Sequence, residues 1–218
     1  MAFSNEWEDI YSENKQLSIW PWSDLVSYFH RYVKKCDTVL ELGCGAGANI
    51  PFLKEICPQG WYFAIEGSQS IVRRLHERFP ELKNNIVCGD FGNNWPFDMK
   101  FDLIVDRSSV THNKTSDIKK ILEQVNSHLN YGGKYIGIDW HSTKHSAYDY
   151  GEIVEDNYSR SYSKDYFEGM GITHFADKEH MEELFKDFNI EVLEEKVNTF
   201  YYPKKNITAE WNIVVSKK

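Results

Sequence analysis

Val39-Leu40-Glu41-Leu42-Gly43-Cys44-Gly45-Ala46-Gly47 is the stretch on which the fold turns. Residues 38–42 read as a buried strand, and three glycines at alternate positions close it. A glycine lacks a side chain, so the chain turns tightly there and a ligand can press against bare backbone. Residues 47–57 then read as a helix, with Ile50, Leu53 and Ile56 along one side. A glycine-rich turn between a hydrophobic strand and a helix is where open α/β folds hold nucleotides or nucleosides.

The same alternation continues outward. Residues 61–65 form a second strand, and Ser68 caps a helix carrying Ile71, Val72, Leu75 and Phe79 at helical spacing. Residues 85–88 and 101–105 are further short strands, the latter nearly all apolar, as expected for a parallel strand covered on both faces. Residues 115–129 carry a stripe of Ile118, Ile121, Leu122, Val125 and Leu129, and Gly132-Gly133 turns the chain into a strand over 135–140. A helix over 177–188 precedes two strands, 190–200 and 209–215, separated by Pro203, Lys204 and Lys205 as in an antiparallel hairpin. The expectation is one α/β domain: a seven-stranded, mostly parallel sheet with helices on both faces, a C-terminal antiparallel hairpin and an N-terminal helical extension. Its parts are a helical lid over 1–36, a ligand-binding core over 37–140, a substrate-side insertion over 141–176, and a closing helix and hairpin over 177–218. The insertion follows a strand's carboxyl end, where ligands sit in such folds.

The bulk properties narrow the partners. At 218 residues the chain can bury a full core without staples. A net charge of −8 disfavours a phosphate-backbone partner, which needs clustered Lys and Arg. No apolar stretch approaches the length of a membrane span, and the first residues lack a signal-peptide pattern, so a cytoplasmic location is expected. Cys36, Cys44, Cys57 and Cys88 show no CxxC spacing and read as free thiols, with no metal site. Glu66 ends the second strand roughly 20 residues after the glycines, where an acid grips ribose hydroxyls. Together with the turn it indicates a nucleoside-containing ligand.

The pattern over 39–47 resembles the first motif of the class I S-adenosylmethionine-dependent methyltransferases, an acid followed by Gly-x-Gly-x-Gly. The resemblance continues in register. Glu66-Gly67-Ser68 matches the ribose-binding acid and its neighbours, Gly89-Asp90-Phe91 the segment that covers the adenine, and residues 101–107 the fourth motif. Residues 129–135 match the Leu-x-x-Gly-Gly turn into the fifth strand, and the terminal hairpin matches the family's last two strands. The resemblance implies S-adenosyl-L-methionine as cofactor. It assigns the cofactor to Glu41, Gly43, Cys44, Gly45, Gly47, Asn49, Glu66, Gly67, Ser68, Gly89, Asp90, Phe91, Asp106, Arg107 and Ser108, with Tyr11 and Trp20 closing over it from the N-terminal lid.

Methyl transfer requires a nucleophile held in line behind the methyl group, and a weak oxygen nucleophile also needs a base. His112 and His141 follow the carboxyl ends of central strands and are the candidate bases. Trp22, Asp139, His145, Tyr148 and Arg160 are candidate acceptor contacts, and Arg107 and Arg160 could meet an anionic group. Asp106 and Asp139 occupy the metal-ligand positions of catechol-type methyltransferases, but Trp140 stands where those enzymes have an amide, so no metal is expected. The Asp/Asn-Pro-Pro-Tyr motif of base and amide methyltransferases is replaced by Asp106-Arg107-Ser108-Ser109. The expected activity is methyl transfer to a small molecule, at oxygen; the Trp20-Pro21-Trp22 segment followed by this cofactor domain resembles bacterial methyltransferases of surface-glycan or natural-product pathways, a resemblance that implies such a place for this chain. Alternatives are a non-catalytic S-adenosylmethionine-binding protein and a protein or nitrogen methyltransferase. A nicotinamide-dependent reductase is disfavoured because Tyr-x-x-x-Lys occurs only at 11–15, before the fold, and at 201–205, across Pro203.

Overall fold

A computed structural model describes residues 5–12, 18–34, 37–58, 61–93 and 95–218. Lys15 and Cys36, quoted above, lie outside them. Two helices, α1 (Asn5–Ser12) and α2 (Ser23–Tyr32), precede the alternating core. The core runs β1 (Thr38–Leu42), α3 (Ile50–Ile56), β2 (Trp61–Glu66), α4 (Gln69–Arg78), β3 (Ile86–Cys88), β4 (Phe101–Arg107), α5 (Thr115–His128) and β5 (Leu129–Ser142). The order β3-β2-β1-β4-β5 is parallel throughout. After the insertion come α6 (Lys178–Leu184), β9 (Phe188–Phe200) and β10 (Asn206–Lys217), with β10 antiparallel to both β5 and β9. These seven strands are the expected sheet.

Alternation along each strand builds two cores. Leu40, Leu42 and Ile104 face one side, where α5 lays down Ile118, Ile121, Leu122 and Val125 and α6 adds Met181 and Leu184. Val39, Leu103, Val105, Ile136 and Ile138 face the other, against Leu25 and Phe29 of α2, Ile50 and Leu53 of α3, and Ile71 and Leu75 of α4. The Ser68 hydroxyl accepts from the Ile71 amide at 3.1 Å, so α4 starts where its cap places it. Among the described residues no helix is long and apolar enough to cross a membrane.

The structure amends the expected boundaries. Helix α3 starts at Ile50 rather than 47, because Gly47 has φ +75° and still belongs to the turn. Helix α6 ends at Leu184. Strand β5 starts at Leu129 and contains Gly132-Gly133, which mark a register slip against β4 rather than a separate turn. The hairpin strands start two and three residues before their expected beginnings, at Phe188 and Asn206; the first ends at Phe200 as expected and the second runs two residues further, to Lys217. The insertion, for which no element was expected, carries three short strands, β6 (Glu152–Ile153), β7 (Ser159–Ser161) and β8 (Thr173–Ala176). β8 pairs in parallel with the end of β5 at His141 and Ser142, and Ala147, Phe167 and Phe175 form a small core beneath.

Candidate functional site

A cavity of about 860 Å³ opens at the carboxyl ends of β1, β2, β4 and β5. Its floor is the glycine turn, and the three glycines answer three different demands. At Gly43 (φ +68°) a Cβ would lie 2.5 Å from Ser109 Cβ, so only glycine lets the β1 and β4 loops touch. At Gly45 (φ +50°) a Cβ would lie 3.1 Å from the Tyr11 hydroxyl, which overhangs the turn from α1. Gly47 is outside the cavity wall: its Cβ would meet Leu75 at 2.6 Å, so it serves the packing of the turn on α4.

Two buried acids stand behind the turn. Glu66 receives the Gly45 amide at 2.8 Å on one oxygen and the Ser68 amide at 2.9 Å on the other. Burial pushes its carboxyl up, against the pull of these bonds. Glu41 receives the Tyr62 hydroxyl at 2.5 Å and the Asn49 amide at 2.6 Å. Burial still raises it to about 7. Both line the cavity, as do Asn49, Gly67 and Phe91. Asn49 Oδ1 is buried with no hydrogen-bond partner. The floor therefore offers exposed backbone, two carboxylates and an unused acceptor. That donor-poor, acid-rich set fits a cationic nucleoside with ribose hydroxyls and does not fit a pyrophosphate.

Asp106 is not in this wall. It is fully buried below it, where its Oδ1 accepts the Ser109 and Val110 amides, both at 2.9 Å. Its Oδ2 accepts the Trp140 indole at 2.8 Å and the Tyr135 hydroxyl at 3.2 Å. Its oxygens are spent on holding the β4 loop to β5. Arg107 reaches the cavity but is paired with Asp139 at 2.7 Å and lies 3.9 Å from the Trp22 ring centroid. Ser108, just past the end of β4, and Asp139, within β5, both hold positive φ, 53° and 57°, at the edge of the cavity.

Above the floor three imidazoles line the cavity: His112, His141 and His145. Ring centroids of His112 and His141 are 6.0 Å apart, and those of His141 and His145 6.2 Å. Burial lowers all three, His112 to about 4, so each is neutral at physiological pH. His112 Nδ1–H donates to the Ile172 carbonyl at 3.2 Å, which leaves its Nε2 with the lone pair. His141 Nδ1 is buried without a partner. Among the described residues no three His, Cys, Asp or Glu are grouped to hold a metal ion.

Several expected residues lie elsewhere. Trp20 is 77% exposed and contributes nothing to the wall. Ser68 is the α4 cap, Gly89 packs on Ile65, and Asp90 caps Gly92 at 2.8 Å. Arg160 bonds the Tyr148 and Asp156 carbonyls and stacks on the Tyr148 ring at 4.5 Å, so both side chains serve the insertion's own packing. With Arg107 on Asp139 and Arg160 inside the insertion, the residues expected to meet an anionic acceptor are already engaged. Two features were missed. Trp7 of α1 joins Tyr11 at the site, packing edge-on to His112 at 5.0 Å, and Glu8 behind them ties α1 to α4 by accepting from Ser68 at 2.6 Å and from Ser70. Their spacing with Tyr11, on one face of a helix, was the available signal. The hairpin supplies a whole wall, with Lys196, Asn198 and Phe200 facing Glu210, Thr208 and Asn206 in cross-strand pairs.

Residues 39–133 match the family model of a methyltransferase domain. A search of curated protein sequences finds no match. Solved structures of the same fold include an S-adenosylmethionine-dependent methyltransferase of Methanosarcina mazei, 16% identical, with TM-score 0.68 over 91% of this chain and 98% of that one. TehB of Haemophilus influenzae is 18% identical, with TM-score 0.65 over 97% of this chain and 67% of that one. The glycopeptide N-methyltransferase MtfA, solved with S-adenosyl-L-homocysteine, is 18% identical, with TM-score 0.61 over 90% of this chain and 89% of that one.

Proposed function

We propose that this chain, which carries a methyltransferase domain match over residues 39–133, is a class I S-adenosylmethionine-dependent methyltransferase and that it methylates a small molecule seated between the imidazoles and the terminal hairpin. The cofactor is S-adenosyl-L-methionine, which supplies a methyl group on a cationic sulfur. Gly43, Gly45, Glu41, Asn49, Glu66, Gly67 and Phe91 would hold it, with Tyr11 overhead. The observation that carries the acceptor half of this reading is one continuous cavity joining that floor to neutral imidazoles. At about 860 Å³ it is near the upper end of the usual range for small-molecule sites, roughly 300–1,000 Å³, which leaves room for cofactor and acceptor together. Helix α1, the insertion and the hairpin wall it in, which favours a small acceptor over a duplex or a protein surface.

His112 is the residue we assign to proton removal. Its tautomer is fixed by Ile172, its free Nε2 is neutral, and it lines the same cavity as the turn. The acceptor atom is thus a heteroatom that must lose a proton, hydroxyl or amine. His112→Ala is expected to lower kcat by about 10²-fold or more while the affinity for S-adenosyl-L-homocysteine stays within about twofold. Measured turnover equal to that of the unmodified protein would remove His112 from the role.

Glu41 makes binding pH-dependent with a definite sign. In the free protein burial holds its carboxyl near 7, so part of the population is protonated at neutral pH. A cation in the cavity favours the ionised form, so binding ejects a proton below about pH 7 and weakens as the pH falls. Calorimetry with S-adenosyl-L-methionine near pH 6.5 should therefore give enthalpies that change with the buffer's ionisation heat. A buffer-independent enthalpy would contradict this.

A further inference from the structure

The bases of the inner cavity wall each have their acid: Arg107 is held by Asp139, and Lys196 by Asp24 of α2. Glu210 is the acid left over. It lines the cavity, and among the described residues its carboxylate has no hydrogen-bond or ion-pair partner. Its neighbours across the sheet are His141 on β5 and Lys196 on β9. His141 is itself only 8% exposed and keeps Nδ1 unpartnered. Burial, with the Asp139 and Asp24 carboxylates, pushes Glu210 up to about 7 against the pull of Lys196 and Arg107. The remaining polar positions here, Asn198 and Thr208, are uncharged. Lys204 lies out at the exposed bend of the hairpin.

Beyond Glu210 the wall turns aromatic. Tyr150, Tyr166 and Phe167 of the insertion face this space with Phe200 and Tyr202 of the hairpin. Tyr166, Phe200 and Tyr202 are 70%, 51% and 90% exposed, so their rings have apolar area still to bury. A lone, half-buried carboxylate gains most from a charged donor, because a cation both bonds it and offsets the acids behind it. An anion would meet the uncompensated Glu210 carboxylate unfavourably, and a neutral hydroxyl would leave its charge in place.

Resting on the reading of the cavity given above, we propose that the acceptor molecule carries an ammonium group, distinct from the atom that His112 deprotonates for methylation, which seats on the Glu210 carboxylate, and a flat apolar body that packs among the aromatic side chains of the insertion and hairpin. Glu210 thereby sets acceptor class, and the cofactor floor does not depend on it.

The test uses the full chain saturated with S-adenosyl-L-homocysteine, titrated with 2-phenylethylamine and its isostere 2-phenylethanol. At about pH 8 the carboxylate is ionised and the amine still protonated. The amine is expected to bind about tenfold more tightly than the alcohol. Glu210→Gln should abolish that preference, Glu210→Asp should keep part of it, and S-adenosyl-L-homocysteine affinity should be unchanged in both variants. Equal binding of the two probes, or a preference that survives in Glu210→Gln, would overturn the assignment. Failure of S-adenosyl-L-homocysteine to bind the unmodified protein would instead bring down the reading of the cavity itself.

Discussion

Gly43→Ala is expected to destabilise the protein by about 3–5 kcal/mol and to abolish measurable binding of S-adenosyl-L-homocysteine. Two costs combine. The backbone at φ +68° lies in the left-handed region, which costs an L side chain roughly 1–2 kcal/mol. The added methyl would stand 2.5 Å from Ser109 Cβ and 2.8 Å from its hydroxyl, so the loop after β4 must move. That loop is not free to move. The Ser109 hydroxyl lies 2.5 Å from the Leu42 carbonyl and also contacts Asp106, and its amide is held by the same carboxylate. In a chain of this size the loss corresponds to a fall in midpoint temperature of about 10 °C. Thermal unfolding and a ligand titration on the same preparation check both parts. A variant with unchanged midpoint and affinity would show that the β1 and β4 loops are not locked together here.

Asp106→Asn is expected to cost about 3–5 kcal/mol, although it alters a single atom. The buried carboxylate accepts two backbone amides on one oxygen and an indole and a phenol on the other. An amide group in its place must turn its own N–H donors toward one of those donor pairs, whichever way it is flipped. The Ser109 and Val110 amides or the Trp140 indole are then left unsatisfied in the core. The contrast with Asp24→Asn is the informative part. Asp24 pairs with Lys196 on the open cavity wall, both partly exposed, and its loss should cost no more than about 1 kcal/mol. Denaturant unfolding of the two variants checks this. Similar small losses in both would mean that Asp106 does not hold the β4 loop to β5.

These two positions also show what a sequence can and cannot tell. The strand-turn-helix around Gly43 was legible because apolar runs of strand length alternate with helical stripes, and parallel strands buried on both faces have little choice of residue type. The role of Asp106 was not. An acid at the carboxyl end of a central strand reads as a ligand contact, and only the three-dimensional positions of Tyr135 and Trp140 show that it is consumed below the floor. Arg160 and Tyr148 misled in the same way: polar and aromatic residues in an insertion resemble a binding surface until Phe167 and Phe175 are seen to give the segment a core of its own. Trp20 drew attention as a large aromatic, whereas the helix face that reaches the cavity is Trp7 and Tyr11, one turn apart. The hairpin wall was hidden for a different reason. Alternation puts Lys196, Asn198 and Phe200 on one face of β9, but which way that face turns is known only from the pairing of β9 with β10, and a slip of one residue would turn every one of them outward. Glu210 belongs to that hidden set.

The claim on which the rest stands is that the floor formed by Gly43, Gly45, Glu41 and Glu66 holds S-adenosyl-L-methionine. Calorimetric titration of the unmodified protein and of Glu66→Ala with S-adenosyl-L-homocysteine, and of the unmodified protein with NAD, tests it most directly. The account predicts one site per chain for S-adenosyl-L-homocysteine, weakened in Glu66→Ala by on the order of 1–3 kcal/mol, and no heat of binding with NAD. Saturable binding of NAD, or S-adenosyl-L-homocysteine affinity untouched by removal of the Glu66 carboxylate, would contradict it.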